Sequence, residues 1–158
     1  MNENVEILIA NMEDAEDIAQ IARDVGKMHE EALPEYFLPR ELAYDLDMIR
    51  KMIEGELSEV FKAVVGGKIC GFLTLSVFNR PANLFVCSKY GCIGDIGVDE
   101  FYRDRGIGTL LIQTAEDWCR SKGIKAMELG VFAFNENAKR LYEKLEYKEL
   151  TTCRFKFL

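Results

Sequence analysis

Between Gly91 and Gly123 the hydrophobic spacing changes period once, and abruptly. The run GCIGDIGV, closing at Val98, reads as a strand. From Ile107, the residues Ile107, Leu110, Leu111, Thr114, Ala115 and Trp118 recur at helical spacing as one buried face. The join is Arg103-Asp104-Arg105-Gly106-Ile107-Gly108, two arginines and two glycines in six residues. A strand, a tight turn and an amphipathic helix in that order require a sheet with helices packed on it, an α/β chain. The turn also leaves the first amide N–H groups of the helix without acceptors. Those donors, with the positive end of the helix dipole, favour an anion. Gly106 and Gly108 carry no β-carbon, so a diphosphate can approach the backbone closely. Arg103 and Arg105 add charge and forked donors.

The rest of the chain supports a mixed sheet. Val5–Ala10 predicts a strand, and Asn11 caps a helix whose apolar positions are Ala15, Ile18, Ala19, Ala22 and Val25. Pro34 ends it, and Leu42, Leu46, Ile49 and Ile53 mark a second helix closing near Gly55. EVFKAVV and KICGFLTLSVF flank Gly66-Gly67 as a hairpin. IKAMELGVF predicts a strand, NENAKRLYEKL a helix, and YKELTTCRFKF a closing strand. The expected order is β-α-α-β-β-β-α-β-α-β. It gives a central mixed sheet, partly parallel in the latter half, with about four helices. No repeat, low-complexity segment or linker interrupts it, so residues 1–158 are expected to form a single domain.

Composition narrows the partners. The formal net charge is −7. Residues 1–90 carry 9 Lys+Arg against 16 Asp+Glu, and residues 91–158 carry 11 of each. Phosphate binding along nucleic acid calls for a basic face, so nucleic acid is not an expected partner. An acidic front half instead suits a cationic substrate. No apolar run reaches membrane-spanning length, so no membrane association is expected. MNENVEILIAN lacks a basic segment followed by an apolar one, so a cytoplasmic location is the expectation. Cys70, Cys87, Cys92, Cys119 and Cys153 are odd in number with no C-x-x-C spacing, which predicts reduced thiols. With His29 the single histidine, no multi-histidine metal site is available, and no metal is expected.

The diphosphate ligand is not the one bound by a P-loop, since G-x-x-x-x-G-K-[ST] is absent. G-x-G-x-x-G is absent too, because Thr-Leu-Leu follows Gly108. IGDIGVDEFYRDRGIGTLL, however, resembles the acetyl-coenzyme-A motif of the GCN5-related N-acetyltransferases. That motif is a strand ending in an apolar V, then R/Q-x-x-G-x-G/A opening a helix. NENAKRLYEKLEY resembles the family's second motif, N-x-x-A-x-x-L-Y-E-K-x-G-F. The two occur in the family's order, and the resemblance extends over nearly the whole chain.

The resemblance implies a twisted, mostly antiparallel sheet that splays at the cofactor site, with helices on both faces. It also implies acetyl-CoA as cosubstrate. The pyrophosphate would sit on Arg103, Asp104, Arg105, Gly106, Ile107 and Gly108, with Thr109 nearby. The pantetheine arm would pair like an added strand with the backbone of Ile96, Gly97 and Val98. Asn135 would lie near the thioester, and Tyr142 falls on the usual general acid. The family often dimerises, so a homodimer is a candidate assembly. Two departures stand out. Gly94 replaces the glutamate common before the V segment, and Glu146 replaces the motif's glycine, which suggests a different turn there.

Transfer of an acetyl group to an amine needs a neutral nucleophile. A lysine-type amine with a pKa of about 10.4 loses its proton at pH 7 at a cost of roughly 4.6 kcal/mol. Asp95, the remaining acid of GDIGV, is the candidate base, acting through water or by orienting the acceptor. Tyr142, with an ordinary pKa of about 10, is protonated at pH 7 and can donate to a departing thiolate. His29 and Glu30, at the end of the first helix, are candidate acceptor-binding groups. The expected activity is direct N-acetyl transfer from acetyl-CoA. Acceptors in view are a polyamine, an amino-sugar antibiotic, a small metabolite amine, or a protein α- or ε-amine. The alternatives are a non-catalytic acyl-CoA-binding sensor and a nucleotide-binding regulatory domain.

Overall fold

A computed structural model describes residues 4–158. Residues 1–3, the start of the segment read above for a leader, lie outside the described residues. The order is β1 (Val5–Ile9), α1 (Ala15–Ala32), α2 (Leu42–Glu54), β2 (Ser58–Val65), β3 (Lys68–Asn79), β4 (Lys89–Val98), α3 (Ile107–Ser121), β5 (Met127–Leu129) and α4 (Glu136–Lys144). Asn11 caps as expected. It accepts from Glu13 N at 2.8 Å, and Asp14 accepts from Asn11 N at 2.8 Å, so a short 3₁₀ turn leads into α1. The last residue of α1 is Ala32, two before Pro34.

The five strands lie in sequence order in one sheet. β1, β2, β3 and β4 pair antiparallel, and β4 pairs parallel with β5. Gly66 and Gly67, with φ of 57° and 79°, make the tight turn between β2 and β3. Side-chain alternation divides the core in two. Phe61, Ala63, Leu73 and Leu75 face α3 and α4. Val60 and Phe72 face α1 and α2, against Ile18, Ala22 and Ile49. Helices therefore cover both faces, as the resemblance implies.

Several local expectations are corrected. YKELTTCRFKF forms no strand; residues 148–158 are all exposed. IKAMELGVF keeps only Met127–Leu129 as a strand, too short an edge to pair a further strand of that length. On α3 the fully buried residues are Ile107, Leu111, Ile112, Ala115 and Cys119, while Leu110 is 39% exposed. The helix is rotated from the expected face because Gly91 of β4 makes room for Cys119. A β-carbon at Gly91 would lie 2.7 Å from the Cys119 sulfur.

Glu146 does not give a different turn. Its φ of 65° is the left-handed conformation that glycine adopts easily, and Tyr147 N donates back to Tyr142 O at 2.9 Å. The glycine-type turn survives on a residue that pays steric strain for it, about 1 kcal/mol. Glu146→Gly is therefore expected to stabilise the fold by about 0.5–1 kcal/mol. A raised urea midpoint with unchanged slope checks this; an unchanged midpoint refutes it.

Candidate active site

β4 and β5 part company early. Their pairing covers Gly91–Ile93 against Met127–Leu129 and stops there. β4 runs on to Val98, paired with β3 on one side and, among the described residues, with no strand on the other. The sheet thus opens into a wedge, and at its end the chain enters the arginine–glycine turn.

The turn is braced from within. Asp99 accepts from Phe101 N at 2.9 Å. Arg103 Nε donates to Val98 O at 3.1 Å, and Arg105 Nη2 to Phe101 O at 3.1 Å. Asp104 and Gly106 take φ of 60° and 79°. The first backbone bond of α3 is Leu110 N to Gly106 O, at 3.1 Å. Among the described residues, no protein group accepts from the amides of Ile107, Gly108 or Thr109. A β-carbon on Gly108 would sit 3.3 Å from Leu141 Cδ2, at the narrow point between α3 and α4.

The wedge and the turn share one cleft of about 1220 Å³. That exceeds the roughly 300–1,000 Å³ of sites for compact ligands, so an elongated molecule fits. Its lining brings together Asp95, Ile96, Gly97, Val98, Arg103, Asp104, Gly106, Ile107, Gly108, Thr109, Asn135, Tyr142 and His29. Two residues expected in the site stand apart. Glu30 does not line the cleft. Its carboxylate accepts from Arg23 Nη1 and from Arg40 N, both at 3.0 Å, so it ties α1 to the segment before α2. Arg105 does not line it either, its guanidinium being held at Phe101 O and 5.2 Å from the Tyr102 ring centre.

Tyr142 is 7% exposed on α4, and burial pushes its phenol above the ordinary value. Its hydroxyl has no hydrogen-bond partner among the described residues, whereas neighbouring Tyr147 donates to Glu116 at 3.1 Å. Tyr142 lines the cleft, and its phenol keeps its proton at neutral pH. Asn135 caps α4 through Ala138 N at 3.1 Å and lines the cleft as well. His29 is half-buried among aromatic rings, 5.3 Å from Phe132 and 5.5 Å from Phe134.

Of the lining residues that were not anticipated, three stand out. Phe132 lines the cleft beside His29. Arg140 brings a cation from α4, held by Asn137 at 2.6 Å. The signal for Arg140 lay in its position two residues before Tyr142, inside the second motif. Arg40 lies across Gly26 of α1, with Nη1 3.3 Å from Asp45 Oδ1. The Arg40 guanidinium directs no N–H at that carboxylate, so both oxygens of the fully buried Asp45 lack hydrogen bonds among the described residues. Burial pushes the Asp45 carboxyl above its ordinary range, with Arg40 pulling the other way. No cysteine lines the cleft, and burial pushes the Cys70, Cys92 and Cys119 thiols up. No described helix is long and apolar enough to cross a membrane.

Comparison with known proteins agrees with this fold. The chain is 31% identical over 101 residues to the [ribosomal protein bS18]-alanine N-acetyltransferase of Escherichia coli, a match covering 64% of this chain and 62% of that one. The chain spans 36% to 62% of the length of the N-acetyltransferases from Methanocaldococcus jannaschii, Bacillus subtilis and E. coli that it matches. A crystal structure of a tetramutant of the BH1408 protein from Bacillus halodurans superposes with a TM-score of 0.88 at 26% identity, covering 97% of this chain and 99% of that one. The aminoglycoside N-acetyltransferase AAC(6')-Iy, solved with CoA, has the same fold, with a TM-score of 0.76 at 18% identity, covering 100% of this chain and 97% of that one. Residues 22–147 match the model of one family, from the middle of α1 to the turn after α4. With the wedge, the amide-lined turn and Tyr142 all inside that span, the chain belongs to the acetyltransferase (GNAT) family.

Proposed function

We propose that the chain transfers an acetyl group from acetyl-CoA directly to a primary amine. The observation that carries the reading is the continuous run of backbone from the unpaired edge of β4 into the free amides of α3, with Tyr142 facing it. That run offers an extended ligand a strand to pair with and a diphosphate nest at its end. The CoA complex of AAC(6')-Iy shows that a protein of this fold accommodates such a ligand. Ile96, Gly97 and Val98 would hold the pantetheine arm. Asp104 and Gly106 to Thr109 would hold the diphosphate, with Arg103 and Arg140 supplying charge.

In the reaction the amine nitrogen attacks the thioester carbonyl carbon, the C–N bond forms and the C–S bond breaks. The sulfur leaves with the electron pair of that bond and takes the Tyr142 proton. The ammonium loses one proton before attack, to Asp95 through water or to solvent, and the proton shed by the nitrogen after attack returns through water to the Tyr142 phenolate. No step needs a cysteine. Acceptors with additional positive charge are favoured by the acidic front half of the chain.

A coenzyme-release assay with acetyl-CoA against a panel of polyamines, aminoglycosides, small amines and peptides tests this. Thiol release that depends on one class of amine, with coenzyme A bound more tightly than ATP or NAD, is expected. Tight coenzyme binding without release on any acceptor would instead establish the acyl-CoA sensor, the reading that Gly94 in place of glutamate leaves open.

A further inference from the structure

β4 contains one irregularity, and it falls where β5 departs. Leu75 of β3 pairs with Ile93, and Leu73 pairs with Ile96, so Thr74 alone faces the two residues Gly94 and Asp95. This is a β-bulge. Its effect on side-chain direction is large. Ile93, Ile96 and Val98 all pack against the α3–α4 core, although Ile93 and Ile96 are an odd number of residues apart. Without the extra residue, strict alternation would send the residue two beyond Ile93 to that same apolar face. That residue is Asp95. The bulge is what turns its carboxylate to the cleft and keeps it out of the core.

Thr74 holds the bulge. It is 2% exposed. Its hydroxyl accepts from Asp95 N at 2.8 Å and lies 3.4 Å from Asp95 O, to which it donates. One side chain therefore supplies both partners that the interrupted ladder cannot. The same hydroxyl fills the space beside Gly94. A β-carbon on Gly94 would lie 2.8 Å from Thr74 Oγ1, closer than such atoms approach. A side chain at position 94 and a hydroxyl bracing the bulge exclude each other.

We propose that Thr74 is the positioning residue for Asp95, and that position 94 is glycine because the Thr74 hydroxyl occupies the space a side chain would need. The missing glutamate is then not a loss of machinery. It is one half of a coupled pair in which the acid is offered from position 95. The kinetic arm of this inference rests on the acetyltransferase reading; the structural arm does not.

Thr74→Val keeps the shape and removes the hydroxyl, and Thr74→Ser keeps the hydroxyl. Amide hydrogen exchange at Asp95, coenzyme A affinity, and kcat and KM for an accepted amine are measured across pH. Thr74→Val is expected to speed Asp95 amide exchange at least about 10-fold, the equivalent of one lost hydrogen bond. It is also expected to lower kcat about 10-fold and to shift the acid limb of the pH profile, with coenzyme affinity within about twofold. Thr74→Ser is expected to restore all three. Gly94→Ala should behave like Thr74→Val, since its methyl group displaces the hydroxyl. Unchanged exchange in Thr74→Val, or equal damage in Thr74→Ser, overturns the proposal. If the parent turns over no amine, the acetyltransferase reading falls, and the exchange rates alone still decide the role of Thr74.

Discussion

Gly108→Glu is expected to abolish measurable coenzyme A binding while leaving the protein folded. Gly108 is the second residue of α3, lines the cleft, and carries one of the three amides that have no acceptor among the described residues. A glutamate there brings a carboxylate into a nest shaped for phosphate. Like charges about 4 Å apart repel by about 4 kcal/mol at the effective dielectric of a protein surface. Affinity should therefore fall at least about 100-fold. The fold should tolerate the change, because an added β-carbon meets a single side-chain atom, Leu141 Cδ2 at 3.3 Å, which can yield. Gly108→Ala is the control and should weaken binding only a few-fold. Calorimetric titration with coenzyme A, beside circular dichroism of both variants, gives the result. Undiminished affinity in the glutamate variant would show that the phosphates bind elsewhere.

Tyr142→Phe is expected to lower kcat about 10²–10⁴-fold, the usual contribution of a positioned general acid, with coenzyme affinity within about twofold. Phenylalanine preserves the packing of the ring on the α3 core, and no partner among the described residues loses a hydrogen bond, since the hydroxyl makes none with them. Burial raises the phenol above its ordinary value of about 10, so the acid form persists through the neutral range. The sign is clear: activity dependent on this proton should fail only on the alkaline side, above the ordinary phenol value. In the phenylalanine variant that alkaline limb should vanish with the rate. Equal kcat in the two proteins removes Tyr142 from the chemistry.

Local chemistry made much of the molecule readable in advance. The Asn11 cap, the Gly66-Gly67 turn and the strand–turn–helix at Arg103–Gly108 depend on neighbours in sequence, and each stands where spacing placed it. What escaped depends on partners distant along the chain. Residues 148–158 alternate like a strand, but a strand forms only against an available edge, and Met127–Leu129 offers three residues. The face of α3 turned on a gap at Gly91, which no helical periodicity contains. Glu30 looked free for a substrate until Arg23 and the Arg40 amide came to it through folding. The bulge at Gly94–Asp95 was hidden because its cause, Thr74, sits some 20 residues upstream on another strand. Glu146 shows the reverse case: the turn was kept, and the unusual residue was made to fit it.

The parting of β4 from β5 also bears on what can pair with the unsatisfied rungs of β4. An unsatisfied backbone edge normally invites a foreign polypeptide to dock and extend the sheet, the route to fibres. Here the vacant rungs begin inside a fork whose closed end is the β4–β5 ladder, between helices on either flank. A thin, linear molecule bearing amides can slide into such a slot, but the broad margin of another sheet cannot. Hunger for hydrogen bonds is thereby reserved for a guest of the right calibre.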